Sequence, residues 1–537
     1  MERESRNLSP VTPVERSMMR RLFAPIVLLW LLSVVLRLQT YDPRQNVEDL
    51  DATYHVLLTI QALRESPPSV HHWLPIVTLG SSPQRNISFG STVADAAGNR
   101  FYTSFGSVGF LVPYAILGIF HADATPQNLM AVNFAIHLAA TLLLAMLIDE
   151  ALAAAAIAER TRAIAVLLAA TTYLFVNESL FSHGLIYWHH SLFQPVWMWQ
   201  LLLFARVLRR WERGQRASRA QVVGLVAASL LGPMIEWTGY IANAAIAGWL
   251  WFAARSADPS APRRAPRRAP RRLARAVLGA AVLAGVIFVA HFAATIGIRP
   301  LVAALTERAQ ARDAAAGQIT ALLRGYYESF LWLPVLAIAA PFIVRATARR
   351  WPAMSPIAVA LLVVATVPLI ENVLLMQHAS TYTFDRLKAE VAMCLVLALA
   401  FVALRGAWQA AFAGAWLVLV GANAVYHPDR TRDMSVALAH DHAVLEALQP
   451  VAKPCALYAV TGYARGWVYL TLHSNVAENV ANPDMLQRLA RSRGSCQAIL
   501  LAGSDIGNQI YDWIGAVVYD PPDSMRAFEL QARTRAR

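Results

Sequence analysis

Charge is what this sequence has least of. Asp, Glu, Lys and Arg make up 15% of its 537 residues, where soluble domains carry about a quarter. With 57% hydrophobic residues and a mean hydropathy of +0.42, an ordinary soluble enzyme is excluded. Lysine is nearly absent, at Lys388 and Lys453 alone, so the net charge of +13 is carried by arginine. Cysteine numbers three. Cys394 lies in an apolar run and reads as core packing, whereas Cys455 and Cys496 lie in a polar tail where an oxidising compartment would let them pair. No nucleotide-binding loop is visible, and the tail shows no metal-ligand spacing.

What is present instead is a series of apolar runs near twenty residues long, separated by short polar breaks. That is the pattern of a polytopic helical membrane protein. Eleven spans are predicted, near 22–38, 128–148, 163–177, 191–206, 220–235, 239–254, 276–297, 329–344, 356–375, 388–404 and 408–425. The apolar piece 108–120 is too short to cross and predicts an interfacial or re-entrant helix. Arginine placement sets the orientation. The break at 206–219 holds six Arg against one Glu, and 255–275, with its A-P-R-R repeats, holds eight Arg against one Asp. These breaks, and the one at Arg345, Arg349 and Arg350, are predicted cytoplasmic. Segments 39–127, 178–190, 236–238, 298–328, 376–387 and everything after 426 then face outward.

The predicted fold is an all-α polytopic membrane domain with a small α/β domain at its end. Residues 1–21 form a cytoplasmic tail, 22–426 the transmembrane domain with 39–127 as its first external loop, and 427–537 an external soluble domain. In that last domain C-A-L-Y-A-V (455–460) and A-I-L-L-A (498–502) read as short buried strands, with helices near 433–448 and 484–492. The basic balance is mostly a topology signal, so no nucleic-acid partner is expected.

A transporter usually places ionisable groups at mid-span. Here most spans read as plain Ala, Leu and Val, and chemistry collects at the outward ends. E-D-L-D-A-T-Y-H (48–55) places Asp51 in the first turn of a short amphipathic helix, where a carboxylate serves as a cap or as a base. N-E-S-L-F-S-H-G-L-I-Y-W-H-H-S (177–191) gathers Glu178, His183, Tyr187, Trp188, His189 and His190. Its adjacent His pair lacks the i, i+4 spacing of helical metal ligands, and an interfacial aromatic belt is the commoner reading. P-M-I-E-W-T-G-Y (233–240) sets Glu236 in the turn of a helical hairpin. M-Q-H-A-S-T-Y-T-F-D-R-L-K (376–388) brings Arg386 and Lys388 to a membrane boundary, where they snorkel or clamp a lipid phosphate.

The motif D-x-x-Y-H on a short helix beyond the first span resembles the first external loop of GT-C superfamily glycosyltransferases, including lipid A aminoarabinose transferase and protein O-mannosyltransferases. R-F-Y-T-S-F-G-S-V-G-F-L-V-P-Y (100–114) is similar to the Tyr-rich segment leading into the interfacial helix of bacterial members. There two prolines and a basic residue are usual; Gly106-Ser107 stands in their place here. The resemblance covers roughly residues 20 to 425. It implies transfer of a sugar from a polyprenyl-phosphate donor to a lipid, glycan or protein acceptor by inverting displacement, at the external face of a bacterial inner membrane.

On that resemblance Asp51 is the expected general base, with Asp49 in reserve. Arg386 and Lys388 are expected to hold the donor phosphate, with Arg100 and Arg324 as further candidates. Tyr54, His55, Tyr102, His183, Tyr187, Trp188, His190 and Glu236 are expected to shape the sugar and acceptor pocket. No cofactor is required, and the metal question stays open, with a divalent ion admissible. Two alternatives stand beside this reading: an O-antigen polymerase or ligase, using arginines of 298–328 (Arg299, Arg308, Arg312 and Arg324), and a flippase or transporter of lipid-linked substrates without chemistry.

Overall fold

The computed structural model describes residues 14–41, 50–79, 92–153, 157–255, 268–310, 318–347, 355–433, 444–461, 475–477, 483–502, 513–522 and 527–534. Helix α1 (Val14–Thr40) leads into the first loop, which carries α2 (Leu50–Glu65), a two-stranded ribbon of β1 (Thr92–Ala94) and β2 (Arg100–Tyr102), and α3 (Val108–Ile119). The long helices α4 (Pro126–Ala153) and α5 (Glu159–Phe175) follow, then a short α6 (Asn177–Leu180). Next come α7 (His189–Glu212), α8 (Arg219–Ile235), α9 (Thr238–Arg255) and α10 (Arg268–Ile296). Two amphipathic helices, α11 (Ile298–Gln310) and α12 (Gln318–Phe330), precede α13 (Leu333–Thr347) and α14 (Pro356–Thr366). Short α15 (Ile370–Leu374) and α16 (Met376–Thr381) lead to α17 (Ala389–Ala403) and α18 (Gly406–Asp433).

All eleven expected stretches fall on helices. Five described helices are long and apolar enough to cross a membrane, or seven if each of two bent pairs is one crossing, so the count of eleven is not established. The shortfall has local causes. Helix α17 has 15 residues, about 22 Å of rise against a hydrocarbon core of about 30 Å. Helix α7 opens on His189-His190-Ser191 and closes on Arg209-Arg210. The bent pairs are α5 with the turn after it, at 55°, and α12 with α13, at 90°. At 12 residues, α3 is the short apolar helix expected there. Val282 and Val286 of α10 and Val418 and Val425 of α18 face outward at more than half exposure, as hydrocarbon solvent requires. The chain is an integral membrane protein.

Inside, α4 packs along α7, α7 along α8, and α10 against both α8 and α9. After α18 a five-stranded sheet forms in the order β4-β3-β5-β6-β7, from β3 (Ala456–Thr461), β4 (Asn475–Ala477), β5 (Gln497–Ala502), β6 (Trp513–Tyr519) and β7 (Ala527–Thr534). Strands β4, β3 and β5 run parallel; β6 and β7 add antiparallel hairpins. The helix Pro483–Ser492 buries Leu486 and Ala490 against this sheet. Both strands and this helix sit where the sequence places them.

Cys455 and Cys496 are joined in a disulfide, with a Cα–Cα distance of 5.6 Å. The reason is register: Ala456 pairs with Gln497 across β3 and β5, so the residues just before each strand are neighbours. The loop closed spans 41 residues, for which chain entropy gives about 4 kcal/mol. Non-reducing mass spectrometry of protein isolated without reductant should recover the linked peptides, and reduction should lower the melting temperature of the C-terminal domain first.

Candidate functional site

The site grows from the break between α5 and α7. After Phe175 the backbone extends at Val176, makes one turn of α6, then a π turn at 181–185 in which His183 leaves helical geometry. The carbonyls freed by this irregular path need donors. The two N–H groups of Asn133 Nδ2 are shared among the carbonyls of Ser182, Gly184 and Ile186, at 3.1, 3.3 and 2.8 Å. Arg37, fully buried, donates to the carbonyls of Leu180 and Ser179 at 3.1 and 3.2 Å and to Ser33 at 2.9 Å, and meets His137 Nδ1 at 2.7 Å. A β-carbon on Gly184 would come within 2.7 Å of the Arg37 stem, so glycine is what lets the arginine through.

The three histidines of this stretch go three ways. His183 accepts or donates at the Tyr173 hydroxyl at 2.8 Å and stacks on His137 at 4.6 Å, inside the helices. His189 meets the Ile235 carbonyl at 3.2 Å and stacks flat on Phe105 at 4.5 Å, with Gly109 leaving room for its ring. His190 faces Asp385 at 2.8 Å. Three imidazoles with three separate partners make no common ligand set. Among the described residues no group of His, Cys, Asp and Glu is placed to hold a metal ion.

The first loop closes over this break. The Tyr187 N–H donates to Thr53 Oγ1 at 2.9 Å, and the Tyr187 hydroxyl donates to the Gly109 carbonyl at 2.9 Å. His55 packs edge-on to Tyr102 at 4.2 Å and lies 5.6 Å from the Trp188 ring, with Phe110 and Phe105 completing an aromatic nest. Burial first, and then the charge of Arg308, hold the His55 imidazole down to about 3, so it is neutral at working pH. Tyr54 is buried one residue earlier. Asp51 occupies the first turn of α2, anchored by Thr53 two residues on; its side chain, and the whole of Asp49, lie outside the described residues.

Beside the nest runs a ladder of buried charges. The Glu236 carboxylate takes the Thr238 N–H at 2.8 Å and stands 3.7 Å from His190 Nε2. The Thr238 hydroxyl donates to Glu371 Oε2, which also receives Lys388 Nζ at 2.5 Å. Asp385 bridges His190 and His378. Burial pushes the Asp385 carboxyl up, but the two imidazoles outweigh it and hold it well below the usual carboxylate range.

Against this ladder opens a cavity of about 470 Å³. Trp237, Tyr240 and Ile241 wall one side, Leu305 and Ala309 of α11 another, and Leu374 and Leu375 a third. Its polar lining is Ser104, Arg308 and Glu371. Arg308 Nη2 donates to the Tyr102 hydroxyl at 3.0 Å, and its guanidinium lies 5.3 Å over that ring. Arg308, which lines the cavity, is thus bonded to a ring of the aromatic nest.

Of the expected phosphate partners, Lys388 is in the ladder. Arg386 is 1% exposed and spends its Nε on Ser329, at 2.8 Å, and its Nη1 on the Ala379 carbonyl, at 2.7 Å. Ser329 in turn donates to Glu178 at 2.6 Å. Arg324 pairs with Glu328 on the exposed face of α12. Arg100 lies in β2; burial and its positive charge together lower Arg493 of the C-terminal domain, which therefore sits close to this ribbon. Tyr102, Tyr187, Trp188, His190 and Glu236 converge, while His183 does not.

The expectation of clean spans fails. Asn133 and His137 in α4, Gln200 in α7, Asn243 in α9, Glu371 in α15 and Glu390 in α17 are all buried. Glu371 is the functional candidate that sequence reading missed. Its signal was available: a lone Glu in the apolar run V-P-L-I-E-N-V-L-L (367–375).

No family model matches this sequence, and no curated protein does. Solved structures do match in shape. The archaeal oligosaccharyltransferase AglB from Archaeoglobus fulgidus, in complex with an inhibitory peptide and a dolichol-phosphate, aligns at a TM-score of 0.52 with 12% identity, over 88% of this chain and 69% of that one. The same organism's oligosaccharyltransferase in complex with Zn and sulfate aligns at 0.52 with 14% identity, over 88% and 67%. ArnT from Cupriavidus metallidurans bound to undecaprenyl phosphate aligns at 0.46 with 13% identity, over 89% and 93%. The described chain thus shares its fold with the archaeal oligosaccharyltransferase.

Proposed function

We propose that this protein is a membrane glycosyltransferase that moves a sugar from a polyprenyl-phosphate donor to an acceptor hydroxyl. The observation that carries this is the cavity: apolar walls that suit a prenyl chain, ending at Arg308, with the first turn of α2 held nearby through Tyr102 and His55. The likeness in fold to an enzyme crystallised with dolichol-phosphate supports the same ligand class.

In this reading Asp51 takes the proton of the acceptor hydroxyl as its oxygen attacks the anomeric carbon. The bond from that carbon to the phosphate oxygen breaks, and the phosphate leaves with the electron pair, its growing charge met by Arg308. One displacement inverts the anomeric centre. Arg308 takes the place first expected of Arg386, whose bonds hold its own loop against Ser329. Lys388 adds positive field from behind Glu371. Tyr187, Trp188, His190 and Glu236 form the wall that meets the sugar or acceptor. Should a divalent ion take part, Asp51 and Asp49 would be the carboxylates to recruit it.

The experiment is transfer by the purified protein from a panel of radiolabelled polyprenyl-phosphate hexoses and pentoses to lipid and glycan acceptors. Turnover of any one supports the reading; ATP-driven or gradient-driven movement of intact donor without bond cleavage would replace it. The orientation belongs to the same proposal, with the C-terminal domain outside the cytoplasm of a bacterial inner membrane. A reporter joined to the C-terminus should be active only when exported, and the basic breaks at 206–219 and 255–275 should be labelled only from inside.

A further inference from the structure

Resting on that reading, we infer that Glu371 reads the hydroxyl pattern of the donor sugar: the cavity that holds the lipid phosphate at Arg308 also holds the sugar, against the free oxygen of this carboxylate. A cavity that received only a prenyl phosphate would need cations at its polar end and nothing else. This one places a cation and an anion on separate elements, Arg308 on α11 and Glu371 on α15.

The state of Glu371 is what makes it a recognition group. It is 6% exposed and lines the cavity. Both of its bonds, from Lys388 Nζ and from the Thr238 hydroxyl, fall on Oε2. Among the described residues Oε1 has no hydrogen-bond partner, and the residue lines the cavity. The two donors fix the plane of the carboxylate. A carboxylate held at one oxygen offers the lone pairs of the other, and vicinal sugar hydroxyls are donors spaced to use them. Trp237 and Tyr240 line the same cavity and supply flat apolar faces for the ring. The chemical class that fits is a phosphosugar presenting unsubstituted hydroxyls to Glu371 while its phosphate meets Arg308. A sugar that bears an ester or another carboxylate at those positions leaves Oε1 unpaired or repelled.

The test compares wild type with Glu371→Gln and Glu371→Asp, using polyprenyl phosphate alone, the polyprenyl-phosphate sugar that the enzyme turns over, and its single-deoxy analogues. Glutamine retains a carbonyl acceptor for Lys388, and aspartate retains the charge but draws it back by one methylene, so at least one variant should melt within a few degrees of wild type. The expected result is a loss of about 10- to 10²-fold in kcat/KM for the intact donor. Affinity for polyprenyl phosphate alone should stay within about two-fold. One deoxy donor should lose in wild type what the variants lose, with little further loss when the two are combined. The inference is overturned if the variants weaken polyprenyl phosphate as much as the intact donor, since Glu371 would then act only through Lys388 on the phosphate. It is equally overturned if every deoxy donor loses independently of the substitution. Failure of the underlying reading looks different: no binding of polyprenyl phosphate by wild type at all.

Discussion

Replacing Asp51 with asparagine should cost about 10²- to 10⁴-fold in the rate of sugar transfer while leaving the protein folded. If the residue only capped α2, asparagine would do nearly as well, with a stability change of at most about 1 kcal/mol and no loss of rate. Its surroundings favour the first outcome. Two residues on, Thr53 anchors the helix to Tyr187, and His55 is stacked among Tyr102 and Trp188, so the first turn is held by more than its cap. Donor binding should survive, because the proposed phosphate partner is on α11. The check is single-turnover transfer with thermal melting of the same preparation, run beside Asp49→Asn. If Asp49→Asn loses turnover and Asp51→Asn keeps it, the base is the other carboxylate; if both keep it, the acidic stretch is a hydrated loop and the mechanism falls.

Arg308→Ala should weaken donor binding by about 10- to 10²-fold, the worth of a charge-assisted hydrogen bond to phosphate. Arg308→Lys should recover part of it, since the charge returns without the bidentate fork. Stability should change less than for a fully buried arginine, for Arg308 is only half-buried. Arg386→Ala should show the reverse. It strips two hydrogen bonds from a buried charged donor and leaves Ser329 and the Ala379 carbonyl short of a partner, costing about 1.5–3 kcal/mol per bond. A direct binding assay with polyprenyl phosphate, paired with melting curves, separates the two. If Arg386→Ala lowers donor affinity at unchanged stability while Arg308→Ala does not, the phosphate sits in the 376–388 loop instead.

Those two arginines show where a sequence stops speaking. The helices were legible because an apolar run is a local property, and all eleven runs became helices. So were β3 and β5, but not that they pair side by side and bring Cys455 and Cys496 together. The stretch 177–191 was legible as a concentration of histidines and aromatics but not as a set of contacts. His183 turns inward because Tyr173 and His137, on two other helices, offer it partners; His190 turns toward Asp385, 195 positions away. Nothing within a dozen residues encodes that choice. Arg386 and Arg308 each fall near the end of a short helix. Only the packing of α12 over one and the opening of a cavity beside the other distinguish them. Glu371 was overlooked for the opposite reason: its neighbours are so apolar that the run was read as a span.

Arg37 carries a consequence for how the chain is made. The first helix holds an arginine whose partners are His137, 100 residues later, and the Leu180 carbonyl, 143 residues later. At synthesis rates of about 5–20 residues per second those partners emerge roughly 5–30 s after it. Until then α1 cannot seat its guanidinium in the hydrocarbon and must keep that end at the headgroups, where snorkelling costs little. Final seating of the first helix thus waits on α4 and the turn after α5. A ribosome-arrested chain ending before residue 133 should leave Arg37 open to water, and one extended well past 190 should close it.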